Sequence, residues 1–402
     1  MRNVGLVAIA KDEAPYLHEF IHHHIYFGFK KILVAINRTT DESGQVLKKI
    51  TSVYDNVGYI KVDWIDKVGE SKNNSNLQPY AIAMMVEAFM AQNKQLTDVC
   101  ILDIDEFWFP SDFKKSIANF LSVFPNYDSV CFNWLCQGGD NKNFSKPFEN
   151  RKAISSPEYK SLIKIESLHK VIRYTAHGPY FNESGIKLNA NMNRLKEDEM
   201  NNFRTDQVPE IGSMDAWILH RQLRSEPEYL NLLFRSIHGD FKIKRNRFGF
   251  DSGGDDLNLD KVLLDRYHKS LDDFVKNCDL GERLFYIRER VLKEADFAYK
   301  IPKNDFVLYP WRYVKSLRGT EAADIILPAY VKFASTLQLV ECIDWIQGDL
   351  GKGIKNIIID ELTKRYKESN LTDGLNKPKN LNPEDEEAFS IMKKKNQFNL
   401  LL

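Results

Sequence analysis

The first hundred residues alternate between short apolar runs and segments with helical spacing, an order that few folds accept. Asn3–Ala10 (NVGLVAIA), Lys31–Ile36, Gly58–Trp64 and the run opening at Val99 read as strands. Between the first two, Tyr16, Leu17, Phe20, Ile21 and Ile25 recur at helical spacing, with Gly28 as a stop. Gln45–Tyr54 and Gln78–Gln92 read as the next two helices. A β-α-β-α-β-α-β order predicts an α/β domain: a mostly parallel sheet with helices on both faces. Ligands of such sheets lie beyond the carboxyl ends of the strands. Lys11–Glu13, Asn37–Asp41 and Asp103–Glu106 are therefore expected along one rim.

The fourth run, Val99–Pro110, ends in the acids Asp103, Asp105 and Glu106. Residues two apart on a strand face the same side, so Asp103 and Asp105 are expected to point together. Neighbouring carboxylates repel, more so when buried. A divalent cation such as Mn²⁺ or Mg²⁺ removes that conflict and also holds a phosphate. A charged strand end in solvent is the competing reading.

The later chain changes character. Asp128–Leu135 reads as a strand, Gln137–Asn150 as a polar loop, and Ser161–Tyr174 as strand-rich. Lys187–Pro209 has little periodicity and is expected to be a mobile flap. Trp217–His220 leads into a helix over Glu226–His238, with Lys242, Lys244, Arg245 and Arg247 behind it. From Leu257 on, Leu259–Cys278, Gly281–Tyr299, Glu321–Trp345 and Lys352–Glu368 read as helices. We place one domain at 1–255 and a helical C-terminal region at 256–402.

Composition excludes several classes. Lys+Arg and Asp+Glu balance at 56 each in 402 residues, so no global field draws the chain to nucleic acid. The five cysteines lack metal-ligand spacing and read as core thiols of a reducing compartment. No run has the length of a membrane span and no leader pattern opens the chain, so a cytoplasmic protein is expected. The tail, Lys393–Lys395 beside Phe398, Leu400, Leu401 and Leu402, is the segment with a composition for peripheral membrane contact, against a frayed or partner-packed tail. His22, His23 and His24 point three ways from a helix and are not a metal cluster.

Lys11-Asp12-Glu13-x-x-Tyr16-Leu17-x-Glu19-Phe20, with His24 and Gly28, resembles the opening of glycosyltransferase family 92 and its bacterial relatives. Asp12 replaces the usual Asn, Phe20 a Trp and His23 a Tyr. Asn37 and Asp41 match an Asn-x-Ser-x-Asp turn with Thr39 for Ser, and Gln78 a Gln opening a helix. Asp103-Ile104-Asp105-Glu106-Phe107 matches the family's metal motif without a gap. Trp134 matches the following strand, whereas Leu135–Gly139 departs from Phe-Gly-Ser-Ser-Gly. His220, Arg224, Ser225, Glu228, Tyr229, Arg235 and Gly239 resemble a later block, with Arg for both lysines. The resemblance covers about Asn3 to Phe250.

It implies a Rossmann-like GT-A glycosyltransferase that uses a metal and a nucleotide-sugar donor, with UDP-galactose as our choice of donor. Asp105 would meet the cation that bridges the two phosphates, Asp103 would reach the ribose or the cation through water, and His220 would be a third ligand. Lys11, Glu13, Asn37, Asp41 and Gln78 would surround the nucleoside. Helix capping for Glu13 and a plain turn role for Asp41 compete. Arg245 and Arg247 would hold diphosphate or an acidic acceptor, a solvated basic face being the rival. His177 would line the acceptor site. The resemblance suggests inversion, which needs a carboxylate base. Asp140, Glu183 and Asp215 lie in suitable loops, and Asp215 is our choice. The acceptor is expected to be a glycan or glycolipid of a bacterial surface polysaccharide, made at the inner face of the membrane. A metal-dependent nucleotidyl or phosphoryl transferase is the first rival, though no Gly-x-x-x-x-Gly-Lys loop is present. A non-catalytic scaffold with a relic sheet is the second.

Overall fold

The computed structural model describes residues 2–64, 77–182, 185–235, 243–244, 246–301, 303–343, 352–370, 387–388 and 390–392. The side chain of Gln78, Glu183, Gly239, Arg245 and the Lys393–Leu402 tail, all singled out above, lie outside the described residues. The chain forms two compact units: 1–138, 144–224 and 253–289 make the first, and 139–143, 225–252 and 290–402 the second. The sheet unit thus keeps residues 253–289, which the boundary at 255 had largely assigned to the helical region.

The first unit opens β1 (Val4–Ala10), α1 (Leu17–Tyr26), β2 (Lys31–Ile36), α2 (Ser43–Thr51), β3 (Val57–Lys61), α3 (Leu77–Gln92), β4 (Asp98–Ile101). It continues with β5 (Glu106–Pro110), α4 (Ile117–Leu121), β6 (Ser129–Gln137), β7 (Lys152–Lys164), β8 (Val171–Tyr174) and β9 (Pro179–Phe181). β10 (Lys187–Asn189), α5 (Glu197–Asn202) and β11 (Ala216–His220) follow. The expected flap over 187–209 therefore holds a strand and a short helix, and its Lys187 and Leu188 are buried.

The sheet order is β3-β2-β1-β4-β7-β6-β11-β5, with β10 added on β6. β1, β2, β3 and β4 are mutually parallel, so their carboxyl ends share one rim as anticipated. β7 then runs antiparallel to both β4 and β6, and β5 runs antiparallel to β11. The sheet is thus mixed beyond β4. β1 is buried along nearly its whole length, as a continuous apolar run demands. At Gly5 a Cβ would lie 2.6 Å from Phe89 Cε1, so a side chain there would push α3 off the sheet.

The strand read over Val99–Pro110 is in fact two strands. β4 ends at Ile101, residues 102–105 turn, and β5 leaves to pair with β11 at the far side of the sheet. Asp103 and Asp105 therefore stand on a turn, where the two-residue alternation of a strand does not hold.

α6 (Glu226–Phe234) belongs to the second unit, β12 (Asp255–Asp256), paired with β7, and α7 (Lys261–Asn277) to the first, and α8 (Gly281–Ala295) spans the boundary between Glu289 and Arg290. α6 starts with a capping box: Ser225 and Glu228, both part of the resemblance, bond each other through Oγ and Oε2 at 2.6 Å. In the second unit α9 (Lys303–Leu308), α10 (Pro310–Leu317), α11 (Glu321–Tyr330), α12 (Thr336–Ile343) and α13 (Lys352–Asn370) follow. The helix read over Glu321–Trp345 is broken: Pro328 lies in α11, and the α-helical course resumes only at Thr336.

α1 lays three histidines into aromatic packing, and each is neutral. His23 donates from Nε2 to Trp108 O at 2.7 Å and accepts at Nδ1 from Tyr267 Oη at 3.1 Å. His24 donates from Nδ1 to Phe20 O at 2.7 Å, and His22 meets Ser270 Oγ at 2.9 Å. Burial pushes His22 and His24 down to about 3 and His23 well below its ordinary value. The unfolded chain accepts protons at these groups below about pH 6.5, and the folded chain refuses them. Stability is therefore fully present above that pH and falls below it, by about 1.4 kcal/mol per pH unit for each histidine. Urea unfolding between pH 7.5 and 5 measures this. His24→Phe is expected to flatten the slope by about one proton; an unchanged slope would contradict the burial argument.

Candidate functional site

The parallel rim is tied together by Asp12, whose backbone sits at φ 55°. Its Oδ1 accepts from Thr40 N–H at 2.6 Å, Thr40 Oγ1 at 3.1 Å and Asp41 N–H at 3.3 Å, so the β1 and β2 loops meet. Asp41 is spent on the same job. Its Oδ2 accepts from Ala14 N–H at 2.8 Å and its Oδ1 from Ser43 N–H and Oγ, the turn role that competed with the nucleoside role. It is an anchor at the start of α2. Glu13 follows on the same rim, its N–H donating to Ser43 Oγ at 3.1 Å. Lys11 is half-buried there. Asn37 donates from Nδ2 to Val62 O at 3.3 Å and accepts from Arg38 Nε at 3.0 Å.

The acidic turn splits its carboxylates. Asp103 Oδ2 lies 2.7 Å from Lys160 Nζ, an ammonium 2% exposed on β7. Glu106 closes the turn: its Oε2 accepts from Asp103 N–H at 2.9 Å and pairs with Lys160 at 3.1 Å. Burial pushes the Glu106 carboxyl up to about 7, against the opposing pull of Lys160. Asp105 turns the other way, with Oδ2 3.6 Å from His220 Nε2 at the end of β11. Burial disfavours a charged His220, yet the Asp105 carboxylate outweighs it and holds the imidazole up at about 10. The trio Asp103, Asp105 and His220 is thus not assembled as direct ligands. Among the described residues no group of three His, Cys, Asp or Glu side chains is arranged to hold a metal ion. Asp105 and His220 converge as a pair.

Rings flank this pair. Trp134 lies 4.5 Å from His220 and 5.2 Å from His177, centroid to centroid. His177 is therefore beside the acidic turn, its Nδ1 3.3 Å from Tyr159 O. Behind the turn, Arg221 N–H donates to Asp105 O at 2.8 Å. The Arg221 guanidinium is buried: Nη1 meets Glu19 Oε2 at 2.7 Å, Nε meets Gln137 Oε1 at 3.0 Å and Nη2 meets Ser145 O at 2.6 Å. Arg224 lies over the Tyr16 ring at 3.4 Å. Glu19, Tyr16 and Arg224 of the resemblance are therefore framework around the site.

Other expected residues fall elsewhere. Asp215 stands just before β11 and His220 closes it, so the five intervening steps separate them by about 16 Å at ~3.3 Å per residue. Its N–H bonds Asn191 Oδ1 and its carbonyl accepts from Ser111 N–H, at the Pro110 end of β5. That corrects its choice as base, because Asp105 lies at the Glu106 end. Asp140 and Arg247 belong to the second unit, where Asp140 Oδ1 accepts from Lys142 N–H at 3.0 Å. Lys160 and Arg221 escaped sequence reasoning. A lone lysine or arginine gives no sign of burial until its carboxylate partner is known.

Residues 8–186 match the family model of glycosyltransferase family 92. A search of curated proteins returned no match. Among solved structures, the chain is similar to the WbbM bifunctional glycosyltransferase in its apo form, at 19% identity and a TM-score of 0.24, over 33% of this chain and 23% of that one. It is also similar to the mannosyltransferase PcManGT from Pyrobaculum calidifontis, in complex with GDP-Man and Mn²⁺, at 14% identity and a TM-score of 0.27, over 44% of this chain and 48% of that one. The chain spans less than half the length of either structure. The fold itself is four parallel strands leading into a mixed sheet, with helices and a helical C-terminal region. Over residues 8–186 the chain is similar to glycosyltransferase family 92.

Proposed function

We propose that this protein is a glycosyltransferase that moves a sugar from a nucleoside diphosphate donor, a UDP-sugar such as UDP-galactose, to a hydroxyl of a glycan or glycolipid, with inversion and with Mn²⁺ or Mg²⁺. The observation that carries the metal reading is the convergence of Asp105 and His220 at 3.6 Å beside the rim of β1, β2 and β4. Asp105 suits a cation held by a carboxylate together with substrate phosphates, and His220 would join it as an imidazole by giving up the proton it now shares with Asp105. When bound, the cation supplies charge neutralisation of the leaving diphosphate. Asp105 and His220 would hold it, and Lys11, Glu13 and Asn37, at the strand ends of the same rim, would surround the nucleoside. Trp134 and His177 offer ring faces beside the same turn. The choice of uracil, of galactose and of inversion rests on the resemblance alone, and the second substrate of a bacterial surface polysaccharide is our reading of that setting. No helix among the described residues is long and apolar enough to cross a membrane, and a place at the cytoplasmic face is proposed with it.

A thermal-shift series with UDP, GDP and other nucleotides, with and without Mn²⁺, tests this. At ligand 100 times its dissociation constant the folded state gains about 2.7 kcal/mol, so a rise of several degrees that needs both Mn²⁺ and a nucleoside diphosphate is expected. No metal-dependent rise with any of them would remove the reading.

A further inference from the structure

We propose that Lys160 is a positioning residue that keeps Asp103 out of the cation's ligand set, leaving the metal to Asp105 and His220. The inference rests on the metal reading above. Lys160 Nζ has three hydrogens and three acceptors: Asp103 Oδ2 at 2.7 Å, Glu106 Oε2 at 3.1 Å and Ala176 O at 2.6 Å. None of its donors is left over, and it is only 2% exposed, so the ammonium is a fixed charge and not a mobile surface group.

The consequence lies in the turn. Asp103 and Asp105 are two residues apart on the turn between β4 and β5. Lys160 draws Asp103 to one side, while His220 and the Arg221 N–H hold Asp105 on the other. Asp103 is 43% exposed and Asp105 19%, so Asp103 keeps an open edge toward solvent while its inner oxygen is pinned. A cation held by two protein groups retains more coordination positions for diphosphate oxygens than one held by three. The pinned Asp103 is left to accept from a donor hydroxyl. The bond to Ala176 O also fixes the turn that carries His177.

Lys160→Met is the test, read by Mn²⁺ titration without nucleotide, followed by electron paramagnetic resonance, and by UDP titration at saturating Mn²⁺. Released Asp103 joins the metal, so Mn²⁺ binding to the nucleotide-free protein is expected to tighten about tenfold, while UDP binding weakens about tenfold, the range in which outer-shell partners act. A merely structural lysine would weaken both. Because removing Lys160 leaves buried Glu106 uncompensated, the same titrations are made on Lys160→Met with Glu106→Gln, where an amide oxygen still accepts from Asp103 N–H. Glu106→Gln alone keeps Lys160 on Asp103 and is expected to leave Mn²⁺ affinity at the wild-type value. Equal or weaker Mn²⁺ binding by both Lys160 variants, with wild type binding normally, overturns the Lys160 assignment alone. No Mn²⁺ binding by any of them overturns the metal reading and this inference together.

Discussion

Replacing Arg221 by methionine is expected to destabilise the protein by about 3–5 kcal/mol, because it strands a buried carboxylate. Glu19 and Arg221 are 3% and 2% exposed and bond at 2.7 Å. The remaining Arg221 donors go to Gln137 and Ser145, so each acceptor loses its partner as well. Arg288 lies 3.7 Å from Glu19 and supplies partial compensation, which places the cost toward the lower end. Pairing Arg221→Met with Glu19→Leu removes both charges, and the double variant should be more stable than Arg221→Met alone, a coupling that urea unfolding of the full cycle measures. A loss below about 1 kcal/mol for the single variant would show that the pair does not hold the unit together. Because the Arg221 N–H bonds Asp105 O, the same substitution also loosens a proposed cation ligand. Activity should fall even where the fold survives.

Asp105→Asn is expected to lower kcat/KM by about a thousandfold or more, the scale on which a group stabilising transition-state charge acts. The amide keeps the shape and loses the charge that faces His220. The Asp105 ion pair with His220 is largely enclosed, the two side chains being 19% and 11% exposed, so far-ultraviolet circular dichroism and the urea midpoint are recorded beside the rate to separate a loss of stability from a loss of chemistry. Release of UDP from the donor sugar measures the rate. An Asp105→Asn enzyme keeping more than about a tenth of wild-type activity would remove the carboxylate from the chemistry.

The strands of the parallel half were readable because a strand buried on both faces is a continuous apolar run, and β1, β2 and β4 are such runs. The break inside Val99–Pro110 was not readable. Phe107, Trp108 and Phe109 prolong the apolar signal across the turn, and what ends β4 is the pairing of β5 with β11, more than a hundred residues later. The same long-range pairing decides the fate of Asp215. Proximity in sequence to His220 suggested the site, whereas strand direction sends the two to opposite ends of β11. Asp41 shows what was legible: its place in a turn before a helix offered an anchoring role, and the bonds to Ala14 and Ser43 are of that kind. Lys160 sits in SSPEYKSLIK, a stretch whose mixed polarity hides that the lysine is wholly enclosed.

Diffraction from crystals soaked with Mn²⁺ and UDP, recorded for the anomalous signal of manganese, tests the account where it is most exposed. The account predicts a peak at about 2–2.3 Å from both an Asp105 carboxylate oxygen and His220 Nε2, the span of hard-cation bonds, with diphosphate oxygens on its open side. Nucleotide density with no manganese peak there, or a peak held by other side chains, would contradict it.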